Sequence, residues 1–310
     1  MNFAARRLAA SVLVAGGALL PGCGGDVIEA PDPEPRTAQA GRAVAPAAGR
    51  TARRDPLASA SASASAERPT LTITVDDTGP GRFRYRAPRA VRGGLVEISL
   101  RNAGDVPHKA QLWRISGNHT VKEALRVRHP QPGWLRTAGG VGLTAPGSTS
   151  RTLQSLPAGT YYVAGTLDQP GTVATFTVTG PAGAAQPPRA PARIEAIDFS
   201  FRVSGLRAGR NSVDFDNTGR EPHHAFLAPM RTGAEIADVK RFFNRPTSTG
   251  PPPVDGEGTR ETVVLEGGAR QVTELELAAG RYALVCFVRG RGGGPRHIEL
   301  GMINEVTVRR

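Results

Sequence analysis

Four side chains in the last third of the chain, His223, Cys286, His297 and Met302, carry the donor atoms that soft and borderline metals prefer. They occur in the order His, Cys, His, Met. Ten residues, Phe287 to Arg296, separate Cys286 from His297, and four separate His297 from Met302. Each residue alone has a plainer reading. A cysteine on a strand is commonly a small buried hydrophobe, and a methionine commonly fills a core. A loop histidine commonly makes a hydrogen bond. Cysteine usage adds weight to Cys286: the chain holds 2 cysteines, the other being Cys23. If Cys23 is consumed by lipidation, Cys286 is left to be buried, reactive or a ligand.

The elements that must position these residues are short strands. His223 follows the segment Asn211 to Asn217 and an Asn217-Thr218-Gly219 turn. Cys286 ends Gly280-Arg281-Tyr282-Ala283-Leu284-Val285-Cys286, in which Tyr282, Leu284 and Cys286 alternate. His297 and Met302 precede a last strand with Val306 and Val308 in alternation. Leu71, Ile73 and Val75 alternate likewise at the other end of the folded region.

Much of this pattern occurs twice. Strand, Asn-small-Gly, two residues and Pro-His appear at Leu95 to His108 and again at Asn211 to His223. Leu156-Pro157-Ala158-Gly159-Thr160-Tyr161 likewise matches Leu277-Ala278-Ala279-Gly280-Arg281-Tyr282. Two anchors in the same order predict tandem copies of one fold, over 69–180 and 192–310, joined by a Pro-rich linker over 181–191. Each copy also has one helical segment, Thr120 to Val127 and Gly233 to Phe243, between its Pro-His strand and its Gly-x-Tyr strand. The first copy keeps a histidine at His108 but has Gly165 where the second has Cys286, and no His or Met follows. A Pro-His element can therefore stand without a complete site, and the first copy is expected to hold no metal.

The second copy resembles the cupredoxins, the plastocyanin and azurin family of type 1 copper proteins. In that family one histidine comes from an earlier strand end, while the cysteine, second histidine and methionine come from the loop joining the last two strands. The resemblance implies an all-β fold: two tandem Greek-key cupredoxin-like β-sandwiches, each with a short helical insertion. It implies copper as cofactor, with His223, Cys286 and His297 as a trigonal set and Met302 as a weak axial donor, which suits both Cu(I) and Cu(II). The ten-residue loop is longer than most in the family and rich in Gly and Arg, so spacing alone does not establish ligation. His224 is expected to face away from His223. His119 and His129 read as surface residues.

The N-terminus reads as a secretory signal over 1–22: Arg6 and Arg7, then an apolar run from Leu8 to Leu20 broken by Ser11. It ends Leu20-Pro21-Gly22-Cys23, which resembles the lipobox of bacterial lipoproteins. That implies lipidation of Cys23, a membrane partner through the lipid, and a place in the cell envelope outside the cytoplasm. Residues 23–68, with an alternating Ala-Ser run, are too poor in large apolar side chains to build a core and read as a tether. No later stretch approaches the roughly 20 apolar residues a spanning helix needs.

The formal charge is +12, and 69–180 carries 13 basic against 6 acidic residues. The plainer reading of this excess is a solvated, arginine-rich surface; the alternative is an attraction to acidic partners or anionic headgroups, and outside the cytoplasm nucleic acid is not an expected partner. No Gly-x-Ser-x-Gly, His-Glu-x-x-His or phosphate-loop motif is present, so the expected role is not enzymatic. Two functions fit: a lipid-anchored copper protein with a redox or envelope partner, and a metal-free binding module on the same scaffold.

Overall fold

The computed structural model describes residues 68–128, 130–165, 171–180, 185–244 and 251–310. The signal, Cys23, the tether and His129 lie outside them. In the first half the strands are β1 (Thr70–Gly79), β2 (Arg82–Arg86), β3 (Ala90–Arg92), β4 (Gly94–Asn102), β5 (His108–Ile115), β6 (Leu135–Thr144), β7 (Thr149–Leu156), β8 (Gly159–Ala164), β9 (Gly171–Thr172) and β10 (Ala174–Thr179). In the second they are β11 (Ala192–Ile197), β12 (Ser200–Ser204), β13 (Gly209–Asn217), β14 (Phe226–Pro229), β15 (Arg260–Glu261), β16 (Arg270–Leu277), β17 (Gly280–Val285), β18 (Arg289–Gly290), β19 (Gly293–Arg296) and β20 (Ile303–Val308). Helix α1 (Val121–Ala124) follows β5, and α2 (Ile236–Asn244) follows β14. Among the described residues no helix is long and apolar enough to cross a membrane.

Each half is a two-sheet sandwich. In the first, β4, β1 and β2 share one sheet, with β7 beside β4, and the facing sheet runs β3-β10-β8-β5-β6. In the second, β12-β11-β13-β16 faces β15-β14-β17-β20. Both halves open the same way: the first strand pairs parallel with a later one, β1 with β4 and β11 with β13. The alternation of β1 puts Leu71, Ile73 and Val75 fully inside and leaves Thr70 and Thr72 exposed. The alternation of β17 is hidden because both its faces are covered. Tyr282, Leu284 and Cys286 enter the inter-sheet core with Phe215 and Met302. Ala283 and Val285 enter a second core under α2, with Val239 and Phe243.

The two halves are fused edge to edge. β7 pairs antiparallel with β16, making one nine-stranded sheet. The Thr152 hydroxyl donates to the Thr273 hydroxyl across that seam at 3.1 Å, and the Gln111 amide pairs in both directions with the backbone of Val264. Arg189, in the Pro-rich linker, is tied to Asp214 and Asp216 at 2.9 and 3.1 Å.

The repeated motifs have local structural causes. Asn102 and Asn217 each accept a backbone N–H from the glycine two residues on and donate to two backbone carbonyls, closing the turn before Pro-His. Tyr161 and Tyr282 each send the hydroxyl back to the carbonyl four residues upstream, a tyrosine corner. Helix α1 is only four residues long, set by a Thr120–Glu123 capping box, and is shorter than its apolar spacing predicts.

Candidate metal centre

Three elements bring the donors together. The Asn217 turn delivers His223. β17 carries Cys286 to its end. The stretch from Phe287 to Arg296 is a β18–β19 hairpin, so the chain leaves Cys286, reverses, and returns His297 beside it. His297 N–H donates to the Val288 carbonyl at 2.8 Å and Ile298 N–H to the Cys286 carbonyl at 2.9 Å. The long loop therefore adds an outward projection without separating the two ligand positions. Its glycines serve that reversal: Gly293 and Gly294 take φ of +88° and +83°, a region other residues avoid. Its arginines pin it. Arg291 pairs with Glu266, and its N–H donates to Glu221 at 2.8 Å. Arg296 pairs with Glu299 at 2.6 Å and donates to the Phe243 carbonyl at 2.8 Å.

His223, Cys286 and His297 are all fully buried. Their candidate ligand atoms lie within 4.8 Å of one another, the only such three-residue group among the described residues. The distances are 3.0 Å between the two Nδ1 atoms, 3.5 Å from Sγ to His297 Nδ1 and 3.7 Å from Sγ to His223 Nδ1. A point equidistant from all three lies about 2.0 Å from each, close to the lengths of first-row metal bonds to nitrogen and only slightly short for thiolate. Met302 is also buried in this core. Its N–H donates to the His297 carbonyl at 2.9 Å, and its carbonyl accepts the Cys286 N–H at 3.2 Å, so its backbone is tied to both.

The surroundings prepare neutral imidazoles. His223 Nε2 lies 2.8 Å from Asp198 Oδ1. Asp198 is a carboxylate whose own burial is outweighed by the N–H groups of Arg220 and Glu221 and by His223. The His223 proton is thus held on Nε2, and the Nδ1 lone pair is turned into the cluster. Burial lowers the pKa of His223. Burial and the neighbouring His223 lower that of His297 to about 4. Burial pushes the Cys286 thiol up to about 12, partly opposed by the backbone N–H groups of His224 and Val288. A buried thiol between two uncharged imidazoles has no cation beside it to stabilise the thiolate. A metal ion supplies that charge, so the donor set fits one. His297 Nε2 is buried with no hydrogen-bond partner, beneath the Phe199 ring at 4.8 Å between centroids.

The four candidate residues are thus drawn into one core, three of them by their donor atoms. His224 turns away, to Glu261 at 3.0 Å, and His119 stacks on Trp134 in the first half. Sequence reasoning passed over Asp198. Its recurrence as Asp77, at the end of the first strand of each copy, is the signal that could have found it.

The first half repeats the supporting frame without the site. His108 Nε2 lies 2.9 Å from Asp77 Oδ1, as His223 does from Asp198. Gly165 stands at the cysteine position, and a Cβ there would lie 2.9 Å from the Tyr85 hydroxyl. Tyr85 thus occupies the space a thiolate would need.

No family model matches the chain, and no curated protein matches it. Solved structures do. Auracyanin B is 24% identical over 37% of this chain and 86% of its own, at a TM-score of 0.25. An auracyanin from the photosynthetic bacterium Roseiflexus castenholzii is 21% identical over 37% and 94%, at 0.25. A multicopper oxidase is 15% identical over 77% and 88%, at 0.21. Superpositions this loose carry no argument about function. It is the strand order, and a His–Cys–His cluster closed by the loop between the last two major strands, that make this a pair of cupredoxin-like β-sandwiches.

Proposed function

We propose that the chain is a lipid-anchored envelope protein that holds one copper ion in its second sandwich and carries electrons. The observation that supports this is the triangle of His223 Nδ1, Cys286 Sγ and His297 Nδ1, closed to bonding size by strand ends and a tied hairpin. Bound copper supplies a one-electron Cu(I)/Cu(II) couple. The remaining work belongs to the chain. Asp198 fixes the His223 tautomer. The backbone N–H groups of His224 and Val288 favour the thiolate against the effect of burial, and the buried core excludes water from all three donors. Held donors keep reorganisation small as charge changes. Complete burial also favours retention of the ion over its delivery to another protein, so electron transfer is preferred to copper handling.

Titration of the purified soluble region with Cu(II), followed in the visible, tests the proposal. One equivalent should produce an intense blue or green band from thiolate-to-copper charge transfer, and Cys286→Ser should abolish it. Met302→Leu should keep the colour and shift the potential, because an axial thioether bond is weak. A colourless protein that binds neither Cu(I) nor Cu(II) would decide for the metal-free binding module.

A further inference from the structure

The residue after Pro-His differs between the halves: Lys109 follows His108, and His224 follows His223. These two positional counterparts meet on a single carboxylate. Lys109 Nζ donates to Glu261 Oε1 at 2.6 Å, and His224 Nδ1 lies 3.0 Å from the same oxygen. On its other side, His224 Nε2 accepts the backbone N–H of Phe287 at 2.9 Å. That acceptance requires the His224 proton to be on Nδ1, where Glu261 receives it. Phe287 is bonded directly to Cys286. A continuous run of hydrogen bonds therefore leads from the first sandwich to the peptide that carries the thiol. All three side chains are largely buried, with Lys109 20% and Glu261 12% exposed, so water is a poor substitute for any link. Gly142 of β6 lets β15 approach: a Cβ there would collide with the Glu261 carbonyl oxygen.

We infer that Lys109, in the half without a donor cluster, is a positioning residue for the metal centre of the other half, acting through Glu261 and His224 on the Phe287 peptide. This rests on the copper reading for its electronic consequence, though not for its structural one. With Lys109 in place, Glu261 remains an ionised acceptor and His224 stays in the tautomer that receives Phe287 N–H. Without it, a buried carboxylate lacks its cation, and the chain of donors loses its fixed direction. The first sandwich, which has no donor cluster of its own, then has a task in this chain: it holds still one wall of the other sandwich's site.

The test uses the full chain with Lys109→Met, Lys109→Arg and Glu261→Gln, beside Thr152→Val as a control at the β7–β16 seam. In the metal-free protein, amide exchange at Phe287 should speed severalfold in Lys109→Met and Glu261→Gln, stay near wild type in Lys109→Arg, and not move in Thr152→Val. In the copper-loaded protein the thiolate band should shift in both charge-removing variants and stay near wild type in Lys109→Arg. Unchanged Phe287 exchange in both Lys109→Met and Glu261→Gln, or an equal change in Thr152→Val, would overturn the inference. Should the wild type take up no copper, the proposed function fails while the exchange measurement still decides this one. Should Lys109→Met not fold, Glu261→Gln carries the same decision.

Discussion

Asp198→Ala separates what the His–Asp pair does for the fold from what it does for the metal, because the first half contains the same pair as an internal control. In the second half, Asp198 accepts from Arg220 N–H at 2.8 Å, Glu221 N–H at 3.2 Å and His223 Nε2 at 2.8 Å. In the first half, Asp77 accepts from Asp105 N–H at 2.6 Å and His108 Nε2 at 2.9 Å. Truncation leaves a ring nitrogen of a histidine that is 0% or 4% exposed without its acceptor, a loss of about 1–3 kcal/mol. Both carboxylates are about a quarter exposed, at 26% and 23%, so water reaches the freed backbone donors and the loss should sit in the lower half of that range. Asp77→Ala and Asp198→Ala should therefore lower stability comparably, by about 1–2 kcal/mol each in denaturant titrations of the metal-free chain. Copper affinity should divide them. Asp198→Ala frees the His223 ring and its tautomer and should cost about 10- to 100-fold in a competition titration against a chelator. Asp77→Ala should leave affinity unchanged. Equal copper affinity in the two variants would refute the assignment of Asp198 as the group that prepares His223 for a metal.

Two further outcomes follow from other parts of the molecule. Cys23→Ala should move the protein from the membrane to the soluble fraction of cells; retention on the membrane with normal processing would refute the lipid anchor. Gly165→Cys should fail to create a copper site in the first half and should destabilise it by about 1–3 kcal/mol, since the Tyr85 hydroxyl stands 2.9 Å from the new Cβ; a second copper equivalent in titration would refute that account.

Reading the chain by itself went furthest where the cause is local. The Asn-x-Gly turn before each Pro-His is closed by its own asparagine, and each Gly-x-Tyr corner by a tyrosine reaching four residues back, so both motifs mark their structures directly. Alternation along β1 and β20 was legible for the same reason: a strand with one wet face must alternate. The four donor residues were visible as a set because they lie on one strand end, one turn and one return loop, in fixed order.

What sequence left open depended on contacts between distant segments. Spacing could not say whether ten residues between Cys286 and His297 would part them, because that turns on the loop pairing with itself. The β18–β19 hairpin, anchored by Arg291 and Arg296, settles it by returning His297 to the neighbouring rung. Nor could composition show that β7 and β16 would join two sandwiches into one sheet, since an edge strand's backbone groups carry no mark of their partner. The residue types alone determined that the second half owns a thiol and thioethers to join its imidazoles while the first half, with histidines of its own, has neither cysteine nor methionine. Only the tertiary structure decided that Tyr85 fills the first half's vacant position and that Lys109 reaches across to Glu261, because burial, proximity and the direction of a shared proton are properties of packing.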